Sequence, residues 1–321
     1  MKQFAITALG ELLIDYTPMQ ISPAGMPVFE QNPGGAPANV LVCASRLGCR
    51  TAFIGEVGAD DQGRFLRKTL EKEGVDTRGL MTDENSFTTL AFVSLSETGE
   101  RSFSFARKPG ADTRLTASQL DRGLLRDTEI LHVGSLSMTH EPARSATLYA
   151  ISEAKGAGAV ISYDPNYRPL LWESSQAASQ GMRTLLPYVD IMKCSDDELE
   201  VVTGESQPEK AVDILLGQGI SCVMITMGAK GTLACSGEGT RFVKSFPSHA
   251  VDTTGAGDSF WGGFLCKFCD SGKRPNELTL DELEKFSRYG NAVASLCVER
   301  RGAMPAMPTK AEVEDRLRKL A

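Results

Sequence analysis

Residues 252–260 read Asp252-Thr253-Thr254-Gly255-Ala256-Gly257-Asp258-Ser259-Phe260 and run into Trp261–Cys269, a small and apolar stretch of helix length. A glycine-rich turn that opens a helix lets backbone N–H groups converge without Cβ obstruction. The helix dipole adds partial positive charge, so a phosphate or a developing anion would be held there. Asp258 puts a carboxylate beside that cradle, where bare charge is unwelcome. The task that justifies it is taking a proton from a hydroxyl that attacks the terminal phosphate of a nucleotide. The same letters also fit an ordinary glycine-rich loop with Asp258 as a helix cap. The segment lacks a Gly-Lys-Ser/Thr ending, so it is not a Walker loop.

A second glycine turn enters a helix at Asn32-Pro33-Gly34-Gly35-Ala36-Pro37-Ala38-Asn39-Val40. Gly34 and Gly35 permit close backbone approach to a ligand, and the Asn39 amide offers both a donor and an acceptor, which suits a polyol. Upstream, Gly10-Glu11-Leu12-Leu13-Ile14-Asp15 places Asp15 at a strand edge, where it would accept hydroxyls or remain a solvated loop acid. Arg107, and Arg168 in Asp164-Pro165-Asn166-Tyr167-Arg168, sit beyond strand-like runs, where α/β folds place function. Surface salt bridging is the plain alternative for both.

These residues need a scaffold, and the pattern from about residue 125 supplies one. Short β-branched runs at Ile130–Val133, Ala159–Tyr163, Asp190–Lys193 and Cys222–Thr226 alternate with amphipathic segments, which reads as βαβ units around a parallel sheet. Ala146, Tyr149, Ala150 and Ala154 recur at helical spacing and predict a crossover helix between Glu141 and Gly156. The N-terminal third differs. Residues 88–95 and 101–105 are strand-like around the turn Glu97-Thr98-Gly99-Glu100, a hairpin with Phe103 and Phe105 on one face and Ser102 and Ser104 on the other. With Leu12–Tyr16 and Met26–Glu30 it predicts a small separate sheet suited to covering a site. Thr309 and Glu312 make a capping box for a last helix through Leu320.

Composition sets the outer bounds. A chain of 321 residues with 41% hydrophobic and 23% charged residues is globular rather than disordered. Its net charge of −7 argues against a nucleic-acid partner. No apolar run reaches membrane-spanning length and the first residues lack a signal-peptide layout, so a soluble cytoplasmic protein with no membrane contact is expected. The eight cysteines read as reduced core thiols, Cys266 and Cys269 included, and His132, His140 and His249 show no metal-ligand spacing.

Together the two glycine segments resemble the two signatures of the ribokinase-like, or PfkB, carbohydrate kinases. The first runs from Gly34-Gly35 through Asn39 to Leu47-Gly48 and Gly58, and the second is Asp252-Thr253-Thr254-Gly255-Ala256-Gly257-Asp258. Residues 53–58, Thr226-Met227-Gly228-Ala229-Lys230-Gly231 and Arg301-Gly302-Ala303 look like further landmarks in family order, so the resemblance spans the chain. It implies one ribokinase-like α/β domain over residues 1–321, with a Rossmann-like, mostly parallel central sheet flanked by helices. A β-sheet lid would form from about residues 12–33 and 88–108.

The resemblance also implies roles. Asp258 would be the general base and the amides of Gly255, Ala256 and Gly257 the anion hole. Asp15, Gly34, Gly35 and Asn39 would hold the sugar, and Arg107 and Arg168 remain further substrate-binding candidates by their place beyond strand ends. Lys193, Thr226, Gly228, Gly231, Gly255, Gly257 and Asn291 would serve ATP, Asn291 beside the adenine. Glu198 would organise Mg²⁺ through its waters, and Asp252 and Thr254 would face a monovalent cation such as K⁺. One departure stands out: the family's usual Asn-x-x-Glu is here Ser195-Asp196-Asp197-Glu198.

The form Gly34-Gly35-Ala36-Pro37-Ala38-Asn39 is similar to that of bacterial and plant fructokinase-like members, which implies phosphorylation of D-fructose to fructose 6-phosphate. An arginine fork would equally suit a sugar acid such as 2-keto-3-deoxygluconate, and a riboside is a further alternative. A Rossmann dehydrogenase is disfavoured because no Gly-x-Gly-x-x-Gly follows the first strand. A sugar or nucleotide sensor that kept the fold without activity is the rival of another class. An exposed apolar lid face would pair two copies as a homodimer.

Overall fold

The computed structural model of the protein describes residues 2–95 and 101–319. The chain starts with β1 (Phe4–Leu9), β2 (Leu13–Ile21), β3 (Pro27–Gly34), α1 (Ala36–Arg46), β4 (Thr51–Gly58), α2 (Asp61–Lys72) and β5 (Val75–Asp83). It continues through β6 (Leu90–Leu95), β7 (Arg101–Ala106), α3 (Arg122–Arg126), β8 (Thr128–Val133), α4 (Ala143–Gly156), β9 (Val160–Tyr163) and α5 (Ser175–Leu185). Next come β10 (Ile191–Ser195), α6 (Leu199–Thr203), α7 (Pro208–Gly217), β11 (Cys222–Thr226), β12 (Gly231–Ser236) and β13 (Gly239–Lys244). Three helices follow: α8 (Ala256–Ser271), α9 (Leu280–Cys297) and α10 (Lys310–Lys319).

The large sheet has the order β13-β12-β11-β10-β9-β8-β1-β4-β5. Every pair from β11 to β5 is parallel, while β12 and β13 add an antiparallel edge. Helices cover both faces, which is why strand residues on both sides are apolar. In β1, Ile6 and Ala8 join one cluster with α1, α8 and α9; Leu9 joins the other with α4, α5 and α7. The chain leaves β1 toward β4 and β5 on one side and returns as β8 on the other. The carboxyl ends of β1 and β8 therefore flank a topological switch point, where such sheets leave a crevice.

The four strand runs expected beyond residue 125 are β8, β9, β10 and β11, and the expected crossover helix is α4, which buries Ala146, Ala150 and Ala154. Thr309 and Glu312 form the anticipated capping box, the Glu312 carboxylate accepting the Thr309 N–H at 2.8 Å. The smaller sheet has the order β3-β2-β6-β7, with β2 and β6 parallel. Two of its partly buried rings pack together: Tyr16 stacks on Phe92 with ring centroids 5.3 Å apart. The expected turn at Glu97-Thr98-Gly99-Glu100 and the side chains of Ser102 and Phe103 lie outside the described residues.

Two contacts fix α8 over the sheet. An added Cβ on Gly262 would stand 2.8 Å from Cys43 Cβ and 2.9 Å from the Val40 carbonyl oxygen, so only glycine lets α8 cross α1 this closely. The buried Trp261 ring stacks on Phe264 at 4.8 Å and donates its indole N–H to Ser162 Oγ of β9 at 2.9 Å. The first turn of α8 is thus held above the carboxyl end of β9, beside α1.

Candidate active site

A cavity of about 570 Å³ opens at the carboxyl ends of the central strands. Asp15, Gly35, Asn39, Arg168, Lys193, Glu198 and residues 253–258 all line it, with Leu13 of β2 and Phe105 of β7 contributed by the smaller sheet. A second cavity, about 210 Å³, lies on the other side of the α8 N-terminus, among Thr226, Gly228, Gly231, Asn291, Phe260, Ala294 and Val298. The two share Thr253, Ala256 and Gly257. Ligands in the two cavities would therefore meet at one helix end.

Asp258 sits at that meeting point in the first turn of α8 and is buried. Its Oδ2 accepts from Asn39 Nδ2 at 2.8 Å and its Oδ1 from Asn166 Nδ2 at 3.3 Å. Burial raises its carboxyl above the usual range, while Lys193, the Asn39 amide and Arg168 pull the other way. Lys193 donates to Asp164 Oδ2 at 2.8 Å, both groups being buried. Burial would lower its ammonium, yet Asp164, Glu198 and Asp258 hold it above its ordinary value, so it stays charged. Its Nζ lies 2.9 Å from where a Gly257 side chain would begin, so a cation stands against the first turn of α8.

The glycine turn ahead of α1 shapes the opposite wall. A Cβ on Gly34 would stand 2.2 Å from Asp15 Oδ2, and Gly35 has φ +111° with the Glu11 carbonyl oxygen 2.3 Å from its Cβ position, so larger residues are excluded. Burial pushes the Asp15 carboxyl up to about 6, against the attraction of Arg168 and with the repulsion of Asp258 and Asp252. Asn39 Oδ1 is buried without a partner among the described residues, which leaves an acceptor for a hydroxyl.

Several expected residues hold other posts. Arg107 is buried in an ion pair with Asp112, donates Nη1 to Thr139 Oγ1 at 2.9 Å and Nη2 to the Leu136 carbonyl at 3.0 Å, and does not line the cavity. Its guanidinium braces the chain after β7 instead of reaching a ligand. Asn291 lines the smaller cavity, but its amide donates to the Val243 and Lys244 carbonyls at 3.1 and 3.2 Å and accepts from Thr232 Oγ1 at 2.9 Å. It therefore fastens α9 to β12 and β13 and offers a ligand only its flank. Lys193, expected beside ATP, lines the larger cavity and not the smaller one. Asp252 accepts from the Thr254 N–H and hydroxyl and from the Gly302 N–H, which shapes the loop ahead of α8; neither cavity includes it.

Glu198 accepts the Tyr167 N–H at 2.6 Å and the Ser195 N–H at 2.9 Å, one on each oxygen. Burial opposes its charge, but Lys193 and those two amides keep its carboxyl below the usual range. Ser195 thus supports Glu198 through its backbone. Among the described residues no group of three or more His, Cys, Asp or Glu side chains would hold a metal. A hard cation here would be carried by one carboxylate, water and phosphate oxygens, a donor set that suits Mg²⁺.

Sequence reasoning passed over Glu11 and Asn166. Glu11 is buried at the end of β1, accepts the Ala36 N–H at 3.0 Å, and burial pushes its carboxyl up to about 7. Asn166 stood in a quoted segment from which only Arg168 was chosen. The proline before it and its own tolerance of φ > 0 were the available signal.

A family model described as "pfkB family carbohydrate kinase" matches residues 4–310. "Probable fructokinase-3" of Arabidopsis thaliana is 41% identical over 312 residues, 96% of this chain and 89% of that protein. The solved structure of fructokinase with bound ATP from Xylella fastidiosa superposes with a TM-score of 0.89 at 31% identity, covering 98% of both chains. That of fructokinase from Vibrio cholerae O395 in fructose, ADP and calcium ion bound form gives 0.88 at 32% identity, over 98% of this chain and 99% of that one.

Asp15 titrates near 6 folded against 3.8 ordinarily, so its contribution to stability is present below about 4 and is lost as pH rises through 6. Asp15→Asn removes a charge that costs the folded state about 1–2 kcal/mol after allowance for its partial exposure. The variant should melt a few degrees higher at pH 8, the gap closing toward pH 4; calorimetry at both pH values checks it.

Proposed function

The chain belongs to the pfkB family of carbohydrate kinases, and from that premise we propose that it transfers the γ-phosphate of ATP to D-fructose, giving fructose 6-phosphate. The observation that carries this reading is the pair of cavities sharing Thr253, Ala256 and Gly257, with Asp258 on the sugar side of the shared wall.

The sugar occupies the larger cavity, its hydroxyls donating to Asp15 and to the partnerless Asn39 Oδ1. Asp258, ionised, accepts the proton of the attacking hydroxyl, and that proton stays on its carboxyl until product leaves. The oxygen–phosphorus bond to the sugar forms as the bond between the γ-phosphorus and the bridging oxygen of ATP breaks, and ADP carries away the leaving electron pair. The amides of Gly255, Ala256 and Gly257, backed by Lys193, stabilise charge on the transferring oxygens. ATP lies along Thr226, Gly228 and Gly231, its base against Ala294 and Val298 near Asn291. Mg²⁺, when bound, neutralises charge on the phosphates, and Glu198 would hold it through water. Asp252 and Thr254 would face a monovalent cation beside the anion hole.

The smaller sheet acts as a lid over the sugar, since Leu13, Asp15 and Phe105 reach the cavity from it. A closed lid keeps water from the γ-phosphate. With Arg107 engaged by Asp112, Arg168 is the sole arginine at the cavity wall among the described residues, which favours a neutral sugar over a sugar acid. The compartment proposed is the cytoplasm: the eight cysteines are free thiols, as a reducing compartment keeps them. No described helix is long and apolar enough to cross a membrane.

Purified protein given Mg·ATP and a panel of fructose, ribose, 2-keto-3-deoxygluconate and a riboside should release ADP with fructose. Asp258→Asn should lower kcat by ~10²–10⁴-fold, the usual worth of a positioned base, while fructose still binds. Full turnover by that variant would remove the base assignment. On the lid, Met19, Ile21, Met26 and Phe29 are 49, 66, 65 and 41% exposed, an apolar face that a second copy would cover. Sedimentation should report a homodimer that Ile21→Lys dissociates; a monomeric wild-type protein would end that proposal.

A further inference from the structure

Asn166 is the one non-glycine residue with positive φ among the described residues, at +45°. It follows Pro165 just beyond β9, and its backbone N–H donates to Asp164 Oδ1 at 3.3 Å. Strain of this kind persists where surrounding contacts over-determine it, and it collects at functional sites. Those contacts are visible. Asp164 gives its other oxygen to Lys193 at 2.8 Å, and the N–H of Tyr167, the next residue, donates to Glu198 Oε1 at 2.6 Å. Asn166 is 8% exposed, and its side chain ends at Asp258.

We propose that Asn166 is a positioning residue for phosphoryl transfer: its amide, working with that of Asn39, clamps the two oxygens of Asp258 so that a remaining lone pair faces the attacking hydroxyl. The inference rests on the reading of Asp258 as the base. The last torsion of an aspartate is broad, and tying both oxygens fixes it more closely than tying one. Asn39 Nδ2 ties Oδ2 at 2.8 Å from α1 and Asn166 Nδ2 ties Oδ1 at 3.3 Å from the β9 turn, so the clamp is built from two separate elements. Each oxygen keeps a second lone pair for substrate. The left-handed turn is what brings a side chain from the end of β9 back under the first turn of α8. A residue in ordinary helical or extended geometry would point elsewhere.

The test separates the amide from the backbone. Asn166→Gly keeps a backbone that accepts φ +45° and removes only the amide. Asn166→Asp also tolerates the turn but faces Asp258 with a second carboxylate. The expected result for the Gly variant is KM for ATP and fructose within about twofold of wild type and kcat lower by ~10–100-fold, the scale of a misplaced reacting group. The Asp variant should be slower still. In an Asp258→Asn background the Gly substitution should cost nothing more, because the clamp has lost its object. Thermal unfolding reports whether each variant is folded; if the Gly variant is not, the Asp variant carries the comparison. Wild-type kcat in folded Asn166→Gly, a loss confined to KM, or an equal loss in the Asp258→Asn background would each overturn the inference. Full turnover by Asp258→Asn alone would instead overturn the reading beneath it.

Discussion

A buried carboxylate, Asp258, tied by two amides and faced by cations, is the constraint on which this structure turns. Left alone, Asp258 would take up a proton rather than keep a charge away from water. It stays usable because the Asn39 and Asn166 amides donate to it and because Lys193 and Arg168 stand within electrostatic reach. Removing these partners would strand the charge, and removing the charge would leave the two amides without their acceptor.

Much of the architecture follows from assembling those partners. α1 brings Asn39, which is why α1 and α8 cross closely enough to require Gly262. β9 ends in the turn carrying Asp164 and Asn166, and β10 brings Lys193 to Asp164. Trp261 pins α8 to β9 through Ser162, so Asp258 and its Asn166 partner share a strut. The switch point between β1 and β8 leaves the crevice into which all of these point, and the smaller sheet stands over it. The glycines before α1 and α8 admit ligand where a side chain would block it. The contacts that hold Asp258 and those that pack the core are here largely the same.

What the sequence made legible was local. The glycine turns with Asp258 and Asn39, the alternating βα pattern and the final capping box each lie within a few neighbouring residues, so spacing alone exposes them. What stayed hidden depends on partners far along the chain. Asn166 meets Asp258 at a separation of 92 residues and Asn39 meets it at 219, so neither contact leaves a periodic trace. Arg107 fails as a ligand for a closer reason. Asp112 is five residues on, and the intervening turn folds it back into a buried pair that a linear reading cannot distinguish from an exposed arginine. Asn291 is similar, since its amide is taken by strand carbonyls that only the folded sheet presents.

The most direct measurement of the central claim is the pH dependence of kcat at saturating fructose, where the sugar already engages Asp15, taken on the wild-type protein and on the residual activity of Asp258→Asn. The account predicts an acid limb in the wild type, displaced above the ordinary aspartate range, and its disappearance in the variant. The same limb in both proteins, or none in either, would mean that the proton of the attacking hydroxyl goes elsewhere.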